Sequence, residues 1–169
     1  MSRLPLEGIR IADFSWAWAG PYATLLLAFM GAEVIKIETS KRPDHTRLRA
    51  LTTGPGATDP DLSPIFNDLN LNKMAITLDL AHPKALVLVN KIVSISDVVI
   101  ENFRPGVMDR LGLGYDVLRQ MKPDIVMLSS SSLGAKGAES KYAGYAPIFA
   151  AHSGLAYLTG YPEARPVPL

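Results

Sequence analysis

The sequence predicts an α/β fold, a Rossmann-like parallel sheet with flanking helices. Three observations predict it. Short β-rich runs alternate with helical patterns along the chain, and 169 residues with 48% hydrophobic and 20% charged content suit one ordinary domain with a real core. The helical patterns also carry boundary signals, Pro at their starts and Gly at an exit. Strands joined through helices pair in parallel, with right-handed crossovers.

The elements follow in order. "GIRIADF" reads as the first strand and "PYATLLLAFMGA" as the first helix, with Pro21 at its first position and Gly31 at its exit. That helix is apolar nearly all round, which predicts burial. "EVIKIE" is the second strand. An irregular stretch from Thr39 to Pro64 follows, and a loop of that length is usually functional or mobile. "MAITLDL" reads as strand three. "HPKALVLVNKIVSIS" reads as an amphipathic helix with Leu86, Val89, Ile92 and Val93 inward. "DVVIENF" is strand four, "PGVMDRLGLGYDVLRQMKP" a pair of short helices broken at Gly112 and Gly114, and "DIVMLSSSSLG" strand five. "APIFAAHSGLAYLTG" reads as one last helix before "YPEARPVPL".

Ligands of such sheets gather at the carboxyl ends of the strands. Here those ends are Ser15 to Ala19, Glu38 to Arg42, Leu78 to Ala81, Asn102 to Arg104, and Ser129 to Ser132, and they are expected to line one rim.

Composition narrows the function. A net charge of +1 from 17 basic and 16 acidic residues spread along the chain gives no field for nucleic acid or an anionic membrane. The absence of cysteine excludes disulfides, thiolate zinc sites and a cysteine nucleophile, and suits a reducing compartment. Glu7, Arg10 and Asp13 interrupt any signal-peptide pattern, and "ATLLLAFMGA" is too short to span a bilayer. The expectation is a soluble, cytoplasmic protein.

Chemistry-bearing residues are weighed one by one. The first strand-to-helix turn has Gly20 alone, not G-x-G-x-x-G, and Trp16 and Trp18 would obstruct a dinucleotide pyrophosphate there, although Glu38 sits where a ribose-binding acid would. The four serines lack a G-x-S-x-G elbow and read as turn formers. His45, His82 and His152 have no metal-binding spacing, so no metal is expected. The two tryptophans can be plain core or a ligand wall.

Taken together, "LEGIRIADFSWAWAGPYATLLLAFMGAEVIKIE", "NLNKMAITLDL", "DVVIENFRPGVMDRLGLGYDVL" and "AGYAPIFAAHSGLAYLTG" resemble the class III coenzyme A transferases, the family of formyl-CoA and carnitine CoA-transferases and of α-methylacyl-CoA racemases. The segments keep the family's order from Leu6 to the last residue, and "SWAWAGPYATLLLAFMGAEVIKIE" with "RPDHTRLR" looks most like the branch acting on aromatic dicarboxylic acids such as benzylsuccinate.

The resemblance implies coenzyme A as substrate and carboxylic acids as partners. It places Trp16, Ala17, Trp18 and Ala19 beside the thioester and acyl group, where family transferases carry polar residues, including a glutamine at the position of Trp18. A Trp there points to a larger, apolar acyl group held by stacking. It places Leu78, Ala81, Asn102 and Phe103 on the adenine and ribose side and Arg110 at a phosphate. Family basic positions are replaced by Thr39 and Ala81, and Lys41 and Arg42 stand near enough in sequence to substitute for the first. Tyr145 aligns with the racemase histidine; a phenol of pKa about 10 is a poor α-proton base, so transferase ranks ahead of racemase.

The family nucleophile is an aspartate a few residues after a "PPVPLSG"-type segment. By that match it follows Leu169, since Asp13, Asp44, Asp79, Asp109, Asp116 and Asp124 do not align with it. The resemblance further implies that residues 1–169 are the N-terminal part of the CoA-binding large domain, inactive alone, from an enzyme that forms an interlocked dimer. The competing readings are a racemase of the same family, a nucleotide-binding oxidoreductase domain, and a non-catalytic CoA-binding or assembly fragment.

Overall fold

A computed structural model of the chain describes residues 3–49, 59–161 and 163–165. The chain divides into two compact units, residues 1–130 and 131–169.

The first unit is built on five strands: β1 Arg10–Asp13, β2 Glu33–Glu38, β3 Met74–Thr77, β4 Val98–Glu101 and β5 Val126–Ser129. They pair in parallel in the order β3-β2-β1-β4-β5. The order reverses between β1 and β4, and that is where an open α/β sheet leaves a crevice at its carboxyl edge. The connecting helices are α1 Ala19–Phe29, α2 Thr46–Arg49, α3 Pro64–Leu69, α4 Pro83–Ser94, α5 Val107–Arg110 and α6 Tyr115–Met121.

Side chains alternate across each strand, so the sheet buries two faces. On one, Ala12, Phe14, Ile37 and Val99 pack with Val89 and Val93 of α4, Met108 of α5 and Leu118 of α6. On the other, Ile11, Val34 and Ile100 pack with Ala28 of α1 and with Ala32. Helix α4 starts where expected, with Pro83 in its first turn and the His82 side chain accepting from the Lys84 N–H. Val89 and Val93 are its buried stripe, with Leu86 and Ile92 partly buried beside it.

Some expectations need correction. Helix α1 is not buried all round: Gly20, Pro21, Thr24, Leu25 and Ala28 face inward, while Tyr22, Leu26, Phe29 and Met30 stay 43% to 56% exposed. It lies on the sheet by one side only, so an apolar outer face does not by itself bring burial. It also begins at Ala19, two residues before Pro21. The stretch from Thr39 to Pro64 is not wholly irregular, since it contains α2 and a 3-10 turn at Pro60–Leu62 and ends at the start of α3; its residues 50–58 lie outside the described residues. Ser63 begins α3, its hydroxyl accepting from the Phe66 N–H at 3.4 Å with Pro64 in the first turn.

The second unit holds α7 Ala146–His152 and α8 Leu155–Leu158, two short helices where one is expected. Gly154 separates them at φ +78°, a left-handed conformation that stops α7 and that glycine takes without steric cost. The "PVPL" segment at 166–169 lies outside the described residues.

Candidate functional site

The loop after β1 occupies the crevice between β1 and β4, and its backbone is held residue by residue. Ser15 is buried, its N–H and hydroxyl donating to Asp13 Oδ1 at 2.9 and 2.5 Å. At Trp16 the N–H donates to Asn102 Oδ1 at 2.7 Å, and Asn102 Nδ2 donates back to the Trp16 carbonyl at 2.6 Å. The Phe14 N–H already donates to the Ile100 carbonyl at 2.8 Å. The Asn102 amide thus continues the β1–β4 pairing past the end of the sheet with a side chain. Ala17 bends the chain at φ +62°, and its N–H lies 3.1 Å from each carboxylate oxygen of Asp44. Gly20 must be glycine, because a Cβ there would fall 2.3 Å from Ser15 Cβ and 2.7 Å from its hydroxyl.

Beneath this loop lies a buried charged layer. Asp13, Lys36 and Asp44 are each no more than 1% exposed. Lys36 donates to the Ser15 carbonyl at 2.9 Å and to Asp44 at 3.4 Å. Asp13 accepts from Thr24 Oγ1 at 2.6 Å and from Lys73 at 3.5 Å. Lys73 also donates to the Pro21 carbonyl at 2.8 Å and to Asn70 at 2.9 Å. Burial pulls the Lys73 ammonium down to about 8, against the opposing pull of Asp13. Arg47 clamps Glu38 with its Nε and Nη2, pairs with Asp61 at 2.7 Å and lies 3.5 Å over the Phe66 ring. Charges buried this way need partners, and each of these carboxylates has a cation beside it.

Above the layer, aromatic and basic groups form the outer surface. The rings of Trp16 and Phe103 meet edge to face with centroids 5.5 Å apart, and Arg42 lies 5.7 Å over the Trp16 ring. Trp18, the residue before α1, is 48% exposed. Phe103 is set by its own N–H donating to Glu101 at 2.7 Å. Trp16, Ala17, Trp18, Ala19, Arg42, Asn102 and Phe103 therefore share one neighbourhood.

Leu78 and Ala81 lie on the same rim but at the carboxyl end of β3, on the sheet edge two strands from β1. The Leu78 N–H donates to the Glu38 carbonyl, and Lys41 pairs with Asp79 at 2.6 Å, tying the β2 and β3 ends together. That pairing engages Lys41, whereas Arg42 faces the tryptophan. Arg110 ends α5 and is exposed; its guanidinium lies back toward Gly106, whose φ is +79°. Tyr145 belongs to the second unit, where it is exposed and precedes α7.

Sequence reasoning passes over Lys36, and weighs Asp13 and Asp44 only as nucleophiles, not as partners of a buried charged layer. A signal exists: a lysine inside "EVIKIE", between two isoleucines, cannot be buried in a parallel strand unless a carboxylate meets it.

No helix among the described residues is long and apolar enough to cross a membrane.

The comparisons with known proteins agree with one another. The family model described as CoA-transferase family III matches residues 6–169. The alpha subunit of succinyl-CoA–L-malate CoA-transferase from Chloroflexus aurantiacus is 39% identical over 165 residues, covering 98% of this chain and 38% of that protein. The succinyl-CoA:glutarate CoA-transferase of Mus musculus is 38% identical over 166 residues, 98% of this chain and 37% of that protein. The crystal structure of a CAIB/BAIF family protein from Brucella suis superposes with a TM-score of 0.87 at 31% identity, covering 99% of this chain and 44% of that one. The chain thus spans well under half the length of the relatives it matches.

Proposed function

The chain belongs to CoA-transferase family III, and on that premise we propose that it forms the CoA-binding part of an enzyme that moves coenzyme A between an acyl-CoA and a carboxylic acid. The observation that carries this reading is the aromatic and basic surface at the β1–β4 crevice, laid over a backbone fixed from below.

In this reading Trp16, Ala17, Trp18 and Ala19 wall the thioester and acyl end. Arg42 and Arg110 meet phosphates, and Leu78, Ala81 and Phe103 line the nucleotide side. Two contacts bear on these roles. The Asn102 amide accepts one hydrogen bond from the Trp16 backbone and donates one to it, so in this reading Asn102 supports the wall. Trp16 and Phe103 touch edge to face, so in this reading the acyl end and the nucleotide side meet at these two rings. Tyr145 joins the site only through the family resemblance.

The chemistry proposed is that of an aspartate carboxylate. Its oxygen attacks the thioester carbonyl carbon, the C–S bond breaks, and a mixed anhydride and CoA thiolate form. The thiolate then attacks the aspartyl carbonyl of the anhydride and releases the donor acid as its carboxylate. The acceptor carboxylate attacks the resulting aspartyl thioester in the same manner, and the thiolate finally returns to the acceptor's acyl carbon, freeing the aspartate. Each step exchanges one activated acyl group for another, so no ATP is consumed. Asp13 and Asp44 are buried and bound to neighbours, which fits neither with a nucleophile. We place the nucleophile after Leu169 in a longer polypeptide, working in the cytoplasm as an interlocked dimer.

Calorimetric titration of the 169-residue chain with CoA, followed by transfer assays from succinyl-CoA to an aromatic dicarboxylate, tests this. CoA binding without turnover is expected, with turnover appearing in a polypeptide that extends past Leu169. Failure to bind CoA, or robust transfer by the 169-residue chain, would overturn the reading. Trp18→Gln in the longer enzyme should cost about 0.5–1.5 kcal/mol of preference for aromatic over small acids, with the affinity for free CoA little changed.

A further inference from the structure

Building on that reading, we propose that Asp44 is the positioning residue of the acyl wall: it holds the left-handed bend at Ala17 and thereby fixes where Trp18 points. Glycine would take φ +62° freely, whereas alanine carries a Cβ that disfavours it, so the bend is imposed by its surroundings. Those surroundings converge on one carboxylate. Both oxygens of Asp44 lie 3.1 Å from the Ala17 N–H. Oδ1 also accepts from the Thr46 N–H at 3.0 Å and the Thr46 hydroxyl at 2.8 Å, which fix its rotamer. Oδ2 faces Lys36 at 3.4 Å, and the same ammonium donates to the Ser15 carbonyl, two residues before the bend.

Asn102 holds Trp16 from the other side of the crevice. Residues 15, 16 and 17 are therefore each fixed by a different side chain, and Trp18 follows with half its surface open. A buried ion pair adds little stability over apolar residues of the same volume. What Lys36 and Asp44 do supply is a rigid backbone beneath a recognition ring, the support that a preorganised binding surface needs. Asp44 touches no substrate atom in this account and acts through Ala17.

The chain's two tryptophans both lie in this loop, so their emission reports on it without any ligand. In a Trp16→Phe background Trp18 is the only tryptophan, and excitation at the red edge of absorption, where tyrosine does not absorb, reports on it alone. Adding Asp44→Asn, which keeps the shape but removes the charge and one acceptor, should red-shift Trp18 emission and increase its quenching by acrylamide. In otherwise unchanged chain, Asp44→Asn should lower the affinity for benzoyl-CoA relative to free CoA by about threefold to tenfold, the range one aromatic contact supplies. Thr46→Val leaves the ion pair in place and loosens the carboxylate, so it should move both readouts the same way by less; it serves if Asp44→Asn does not fold. Leu118→Ala, remote from the loop, should move neither. Unchanged Trp18 quenching and an unchanged benzoyl-CoA to CoA ratio, in a chain that binds CoA, would overturn the role of Asp44. If the unsubstituted chain binds no CoA, the transferase reading fails instead, whatever the fluorescence shows.

Discussion

The two faces of the sheet are built on different principles. Toward α4, α5 and α6 the strands present Ala12, Phe14, Ile37 and Val99, with Glu101 buried on the same face at the end of β4. Toward α1 they present Ile11, Val34 and Ile100, but β1 and β2 turn on that face to Asp13 and Lys36, with Ser15 in the loop beyond, equally buried. Asp13 and Lys36 are register partners on neighbouring strands, so charge replaces apolar side chains at that level on β1 and β2, while β4 keeps Ile100 beside Asp13. The first face gains stability in proportion to apolar area removed from water. The second gives up some of that gain for directional bonds, and those bonds end on the loop that carries Trp16 and Trp18. The difference teaches that the edge of the core nearest the crevice serves the position of the loop more than the stability of the fold.

Single substitutions can break or sharpen this contrast. Lys36→Met should be the most damaging, about 3–5 kcal/mol in urea unfolding, because it leaves Asp44 buried without its cation, and it should also disturb tryptophan emission. A loss under about 1 kcal/mol would erase the distinction between the faces. Leu118→Ala on the apolar face should cost about 2–5 kcal/mol by leaving a cavity, with emission unchanged.

The next effect is one of pH. Lys73 loses its proton near 8 in the folded chain and near 10.5 when unfolded. Between those values the unfolded chain binds more protons, so this group makes stability rise with pH from about 8 toward 10.5. Lys73→Met should flatten that rise; a rise of equal size in the variant would assign it elsewhere. Arg42→Ala should have the smallest effect on folding, about 0.5–1 kcal/mol for one exposed cation over a ring. A larger loss would mean that Arg42 belongs to the buried layer and not to the outer surface.

Much of this was legible in the sequence because it is local. The alternation of strand and helix, the Pro83 start of α4 and the break at Gly112–Gly114 are written in adjacent residues, and the carboxyl-end rim follows once the strands are parallel. The charged layer is not local. Asp13 is met by Lys73 from 60 residues away, and Asp44 reaches Ala17 from a segment 27 residues away, so neither can be paired before the fold is known. The outer face of α1 shows the reverse failure: composition reports that its residues are apolar, not whether anything covers them. Gly154 and the Ser63–Pro64 start of α3 were readable punctuation, masked by the run of apolar residues around the first and by the long loop before the second.

The amide of Asn102 has a consequence for how the gene can drift. Its side chain gives and accepts one hydrogen bond at the Trp16 backbone, a fork that among the other side chains only glutamine shares, on a longer stem. One nucleotide change from an asparagine codon leads to Asp, Lys, His, Tyr, Ser, Thr or Ile, and none of these carries that fork. Asp keeps the shape but turns an oxygen toward the Trp16 carbonyl where a donor stood. Lineages of this protein are therefore expected to hold asparagine at this position through long divergence, or to leave it only together with a change in the path of the loop it holds.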